Sequence, residues 1–412
     1  MNRRKYSPVL LDALNERKRI RDEDGLQIVE KPIPETDQKG VIDPRNVAVL
    51  KETIPQQAKD QPFSDRLRDT FQITADYAQR FGKAVRGDLT ALAEPVRTAF
   101  GAVRSVPQNL PVHVRQAIMH NEDYGGHPVG MRIYKPDQEL RDIPVLIYFH
   151  GGGFVGGSLE GVDELCRFLA WHGKIMVVSV DYRLAPEHKF PSALSDCRCA
   201  VNWAWHNASR FGGDPEQIAV CGDSAGGNLA AACVVLDEER VRDGHRRRIQ
   251  AQILLYPTLN LSGIPDFKYP FDHGKFSTRP EYRKLKNQMV YQMRMLVNVI
   301  PLALGKYSLR DPVINPYYAD PLPQIPTLLF IGEYDCLRPE TEAYAKKLDK
   351  TGTPVRLIRY AGIGHGYADL VGVLPQAEDT LMEITHFLSV CFSTEHCAEI
   401  KSRNNSQVKQ NA

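Results

Sequence analysis

Gly222-Asp223-Ser224-Ala225-Gly226 constrains the fold of this chain more than any other stretch. The apolar run Gln217-Ile218-Ala219-Val220-Cys221 leads into it and reads as a buried strand. The Ala-rich segment Ala225–Leu236 leaves it and reads as a helix. A strand that turns straight into a helix brings two backbones together, and glycine has no Cβ to obstruct them. Such a turn lifts the Ser224 hydroxyl above the sheet, where it can act as a nucleophile. The pentapeptide alone is weak evidence, since a chain of this length matches it by chance roughly 0.1 times.

The surrounding sequence alternates between two periodicities. Apolar runs recur at Ile143–Phe149, Ile175–Val180, Ile218–Cys221, Ala251–Tyr256, Thr327–Ile331 and Val355–Arg359. Helix-like stretches fall between most of them, notably Pro191–Arg210, Ala225–Glu239, Glu340–Lys350 and Gln376–Cys391. That alternation predicts an α/β fold with a mostly parallel central sheet and helices on both faces. Val112–Met119 and Gly130–Tyr134 flank Gly125-Gly126 and read as an antiparallel pair. Residues 260–318 are too long for a simple crossover. Within them Leu285, Met289, Met293, Leu296 and Ile300 form a helical stripe, which reads as an inserted lid.

The chain divides by composition. Residues 1–60 form a charged N-terminal extension: Ser7-Pro8 opens a short helix through about Ile20, and residues 31–60 read as linker or irregular coil. Residues 61–110 hold a helical segment, with Leu67, Phe71, Thr74, Ala78 and Phe81 on one stripe from Ser64 onward. The body spans 111–392, and a polar tail fills 393–412. The net charge of +2 comes from nearly balanced acids and bases, which gives no nucleic-acid footprint. Arg246-Arg247-Arg248 is the one compact basic run and reads as a solvated loop. No apolar segment reaches the ~18 residues of a membrane span, and a charged stretch follows Met1-Asn2-Arg3-Arg4-Lys5 where a secretion signal needs an apolar core. The eight cysteines show neither metal spacing nor a disulfide framework, so reduced thiols in a cytoplasm are expected. No metal or organic cofactor is implied, and nothing indicates a homo-oligomer.

Acyl transfer at an ester needs a nucleophile, a base, an orienter for the base and donors for the oxyanion. His150-Gly151-Gly152-Gly153-Phe154 follows the strand ending at Phe149, and three glycines let backbone N–H groups face a ligand. Gly151 and Gly152, joined by Ala225, are the candidate oxyanion donors, each worth ~2.7–4 kcal/mol in the transition state. Of the five histidines after Ser224, His365 stands in a glycine-framed loop past the run Val355–Arg359, at a strand's carboxyl end where ligand sites of open α/β sheets form. His245 and His273 lie in polar stretches, His386 reads as a helix packing residue and His396 falls in the tail. Asp335 follows the run ending at Ile331 and precedes His365 by 30 residues, one strand–helix–strand unit. Glu333 is its nearest rival as orienter, and Asp320 a weaker one.

Together, His150–Phe154, Asp181-Tyr182-Arg183-Leu184-Ala185-Pro186-Glu187, Gly222–Gly227, Asp335-Cys336-Leu337 and Gly364-His365-Gly366 resemble the hormone-sensitive-lipase-like branch of the α/β-hydrolases. The resemblance covers roughly residues 110–392, with every motif in order. It implies an α/β-hydrolase fold with a helical cap made from residues 61–110 and the lid insertion at about 260–318. It implies Ser224 as nucleophile, His365 as base, Asp335 as orienter, and Gly151, Gly152 and Ala225 as oxyanion donors. The Asp181–Glu187 segment would brace the active-site loops. The sequence departs in two places: the N-terminal region is longer than usual, so residues 1–60 inherit no role, and Cys336 stands where proline is common, which bears on the shape of the acid loop.

The expected activity is hydrolysis of small-molecule esters with short to medium acyl chains through an acyl-enzyme. An amide or carbamate hydrolase would use the same triad. A non-catalytic small-molecule receptor on the same fold is the alternative from another class, although a receptor has no need of Ser224, Asp335 and His365 together.

Overall fold

The computed structural model describes residues 4–52, 93, 97, 104–261, 271–292 and 307–393. Among them one sheet gathers the strands β1 (Arg19–Glu23), β2 (Leu26–Lys31), β3 (Val112–Asn121), β4 (His127–Pro136), β5 (Ile143–Phe149), β6 (Met176–Asp181), β7 (Gly213–Asp223), β8 (Ile249–Leu255), β9 (Thr327–Gly332) and β10 (Val355–Tyr360), the last six of them on the expected apolar runs. Their order across the sheet is β1-β2-β10-β9-β8-β7-β5-β6-β4-β3. Neighbours from β2 to β6 run parallel, and antiparallel pairs finish both edges. Ile218–Cys221 and Leu328–Ile331 are wholly buried, as expected of strands covered on both faces. Edge strand β3 instead alternates and exposes Ile118.

The helices are α1 (Val9–Glu16), α2 (Pro44–Glu52), α3 (Asp163–Gly173), α4 (Ser192–Asn207), α5 (Ala225–Arg242), α6 (Arg283–Asn287), α7 (Arg338–Lys350) and α8 (Pro375–Cys391). They flank the sheet: α3 packs on α8, α1 against α8, and α4 on α5. The strand order reverses at β5, whose neighbours are β7 and β6. A crevice opens beyond the carboxyl ends of strands at such a point. The glycine loop after β5 and Ser224 after β7 both lie there.

Residues 1–60 depart from expectation. The first helix ends at Glu16, not near Ile20. Asp24 and Gly25, both at positive φ, then turn β1 back onto β2, a pairing that left-handed residues favour in two-residue hairpins. Strand β2 lies parallel to β10, so the extension widens the sheet. The expected coil at 31–60 contains α2, which opens at Pro44 behind Asp43, whose carboxylate accepts the Arg45 amide. Helix α3 was not announced by the sequence pattern. The stripe from Ser64 to Phe81 lies outside the described residues, as do Met293, Met295, Leu296 and Ile300 of the lid insertion. The described part of that insertion is short turns and α6, with Met289 packed on Gly364 of the His365 loop.

Candidate active site

Ser224 sits between the end of β7 and the start of α5 with φ 54° and ψ −114°. A non-glycine residue held there costs about 1–3 kcal/mol and persists only where its surroundings over-determine it. Here the Ser224 amide donates to Leu255 O, and its carbonyl accepts from Asn228 and Thr258 amides. The glycine requirement is steric: a Cβ at Gly226 would stand 1.9 Å from Phe149 O, and one at Gly222 would stand 2.3 Å from Gly226.

His365, in the loop after β10, places Nε2 2.9 Å from Ser224 Oγ and Nδ1 2.7 Å from Asp335 Oδ2. Asp335 is fully buried, and its other oxygen accepts the Leu337 amide at 2.9 Å, so the acid loop forms with Cys336 in place. The rivals stand aside: Glu333 accepts the Gly362 amide, and Asp320 is exposed. His245 and His273 are exposed too, and so is His386, which does not pack as expected. Burial pulls the His365 pKa down, but the charge and hydrogen bond of Asp335, with the charges of Asp223 and Asp369, outweigh it and raise it.

The glycine loop brings a correction. Gly151 donates its amide to Asp223 Oδ1 at 2.8 Å, and the same oxygen accepts from the Tyr148 hydroxyl at 2.8 Å. An amide so engaged is not available to an oxyanion. Gly152 and Gly153 follow at φ 126° and 64°, and neither gives its amide to an acceptor among the described residues. The Ala225 amide, first in α5, also has no intrahelical acceptor. The unengaged donors beside Ser224 are therefore those of Gly152, Gly153 and Ala225.

Asp223 is the residue that sequence reasoning passed over. Its signal was a carboxylate inside a buried elbow, which must find partners. Burial pushes its pKa up to about 6, against the lowering hydrogen bond of Tyr148. His150 is also buried, and burial lowers its pKa to about 4, so the ring is neutral. It stacks on Tyr182 at 4.4 Å, while the Tyr182 hydroxyl donates to His150 O. Ala185 donates to Phe154 O, so the Asp181–Glu187 segment contacts both ends of the glycine loop.

Two cavities adjoin these loops. One, of about 450 Å³, contains Ser224, His365, Arg104 and Asp369. The other, of about 380 Å³, is lined mainly by hydrocarbon, including Phe154, Phe190, Leu194, Leu229 and Ile314. Among the described residues no group of three or more His, Cys, Asp or Glu is placed to hold a metal ion, and no helix is long and apolar enough to cross a membrane.

Residues 146–369, more than half of the chain, match the family described as the alpha/beta hydrolase fold. The chain belongs to the α/β-hydrolase family. This hydrolase is 30% identical over 320 residues to the carboxylesterase NlhH of Mycobacterium tuberculosis, covering 77% of the chain and 92% of that relative. It is 32% identical over 265 residues to an arylesterase of Saccharolobus solfataricus, covering 64% and 80%. Among solved structures, an esterase from Pyrobaculum calidifontis superposes with TM-score 0.61 at 28% identity, covering 85% of this chain and 98% of that one. The thermostable carboxylesterase EstE1 from a metagenomic library gives 0.59 at 31% identity, covering 74% and 99%. The order of motifs places this hydrolase in the hormone-sensitive-lipase-like branch of its family.

Proposed function

We propose that this α/β-hydrolase is a serine carboxylesterase that works through an acyl-enzyme. The chain Ser224 Oγ–His365–Asp335, closed by contacts of 2.9 and 2.7 Å, carries the reading. Ser224 attacks the ester carbonyl while His365 Nε2 takes its proton, and Asp335 steadies the imidazolium that forms. Amides of Gly152, Gly153 and Ala225 receive the developing negative charge. His365 returns the proton to the leaving alcohol, which departs and leaves the acyl group on Ser224. A water then gives its proton to His365 and attacks the acyl carbonyl. The acid is released as Ser224 recovers its hydrogen.

The substrates are small esters, as the similarity to carboxylesterases and an arylesterase supports. Met289, in the described part of the insertion at about 260–318, lies against Gly364 of the His365 loop, which puts that part of the insertion beside the pocket. The test is release of 4-nitrophenol from 4-nitrophenyl butyrate, with a burst that reports acylation. Ser224→Ala should abolish the burst and labelling by a fluorophosphonate probe. Equal turnover by wild type and Ser224→Ala would sink the proposal, and an unlabelled wild type would favour a receptor.

A further inference from the structure

The cavity at the triad is lined by glycine backbone, Val162 and polar side chains, Arg104, Ser158 and Asp369 among them. Val162 is the single hydrocarbon side chain that lines it among the described residues. Arg104 enters this cavity beside the base: a Cβ at Gly366 would stand 3.7 Å from its Nη2. Nη2 donates to Asp369 Oδ2 at 2.7 Å and to Gly366 O at 3.2 Å. Those bonds engage Nη2 alone, and Nε and Nη1 donate to no described residue. A guanidinium stays charged and carries five donors. Donors left unmet when a substrate displaces water are costly. The side chain is 28% exposed, so a ligand can reach it.

We infer that Arg104 is a specificity residue that binds a carboxylate on the acyl chain, so that the preferred substrates are monoesters of short dicarboxylic acids. The inference rests on the esterase reading above. A purely hydrocarbon acyl chain that reaches Arg104 leaves its Nε and Nη1 hydrogens without an acceptor. A carboxylate a few carbons from the scissile carbonyl meets them with charge-assisted bonds. Asp369 fixes the guanidinium without occupying those donors.

The test compares 4-nitrophenyl hydrogen glutarate with 4-nitrophenyl pentanoate, equal in chain length and different in the terminal carboxylate. Wild type should favour the glutarate in kcat/KM. Arg104→Met should lower the glutarate-to-pentanoate ratio about tenfold or more, the worth of a charge-assisted hydrogen bond. Arg104→Lys should retain part of it, as a point charge in place of a planar fork. Because the ratio is taken within one variant, partial misfolding cancels. An unchanged ratio in Arg104→Met overturns the inference. So does inhibition of wild type by free glutarate that is no stronger than by pentanoate, a measurement that needs no variant. Failure of the underlying reading looks different: then no ester, 4-nitrophenyl acetate included, is turned over and Ser224 resists the fluorophosphonate. Turnover of the acetate without charge discrimination removes the Arg104 assignment alone.

Discussion

Asp223 Oδ1 lies 2.8 Å from the Gly151 amide, so the residue before the nucleophile anchors the first glycine of the loop that faces it. The contact joins the end of β7 to the end of β5, and it sets where the Gly152 and Gly153 amides lie relative to Ser224. There is no room for anything larger than hydrogen at Gly151: a Cβ would stand 2.2 Å from Asp223 Oδ2 and 3.0 Å from Asp223 O. Gly151→Ala should therefore displace the loop and lower kcat about 10²–10³-fold, the usual effect of losing an oxyanion donor. Steady-state kinetics on a variant with wild-type circular dichroism checks this, and an undiminished kcat refutes it.

In the proposed mechanism Asp335 acts on His365 by orientation and charge, so removing the charge while keeping the shape is informative. Asp335→Asn favours the wrong imidazole tautomer and should lower kcat by about 10⁴-fold, with KM little changed. A loss below about tenfold would point to another orienter, yet Glu333, the nearest candidate, already accepts the Gly362 amide.

As the proposed base, His365 must be neutral to accept the Ser224 proton. Burial opposes the charged imidazole, but Asp335, Asp223 and Asp369 prevail and raise the His365 pKa above its ordinary 6.5. The acid limb of kcat/KM should therefore fall as pH drops, with a midpoint above 6.5. Asp223→Asn takes away one of the charges that hold the imidazolium, so the midpoint should move to lower pH. A pH–rate profile with its limb unmoved, or moved upward, would rule out this coupling.

That Ser224, His365 and Asp335 come together was legible in the sequence because each follows an apolar run at a strand's carboxyl end, and strand ends converge in a parallel sheet. The donors were harder. Three successive glycines announce a loop that approaches a ligand, but which amides stay open depends on the side chain opposite. Here that side chain is Asp223, whose partner Gly151 lies in the loop after another strand, 72 residues away in sequence. Arg104 was unreadable for a similar reason, since only the fold brings it to Gly366 and Asp369. The N-terminal extension misled in another way. Arg19, Arg21 and Glu23 carry charge on an edge strand, so β1 has no apolar alternation to betray it.

That extension is nonetheless tied into the core through Lys31. Its ammonium is fully buried, 2.6 Å from Asp379 Oδ2, 2.6 Å from Glu383 Oε1 and 2.9 Å from Asn15 Oδ1. The two carboxylates belong to α8, while Lys31 ends β2, so the ion cluster fastens the added strand to the helix behind the sheet. Replacing one partner of a buried ion pair leaves the other charge without compensation, and this commonly costs about 3–5 kcal/mol. Tyr360 also donates to Asp379, and Arg356 pairs with Glu383, so neither carboxylate becomes wholly unpartnered. Lys31→Met should therefore fall at the lower end, about 3 kcal/mol, in urea unfolding. The folded fraction should keep near-wild-type ester turnover, because β2 contributes nothing to the Ser224 cavity. A variant as stable as wild type would mean that the extension is an ornament on the sheet edge.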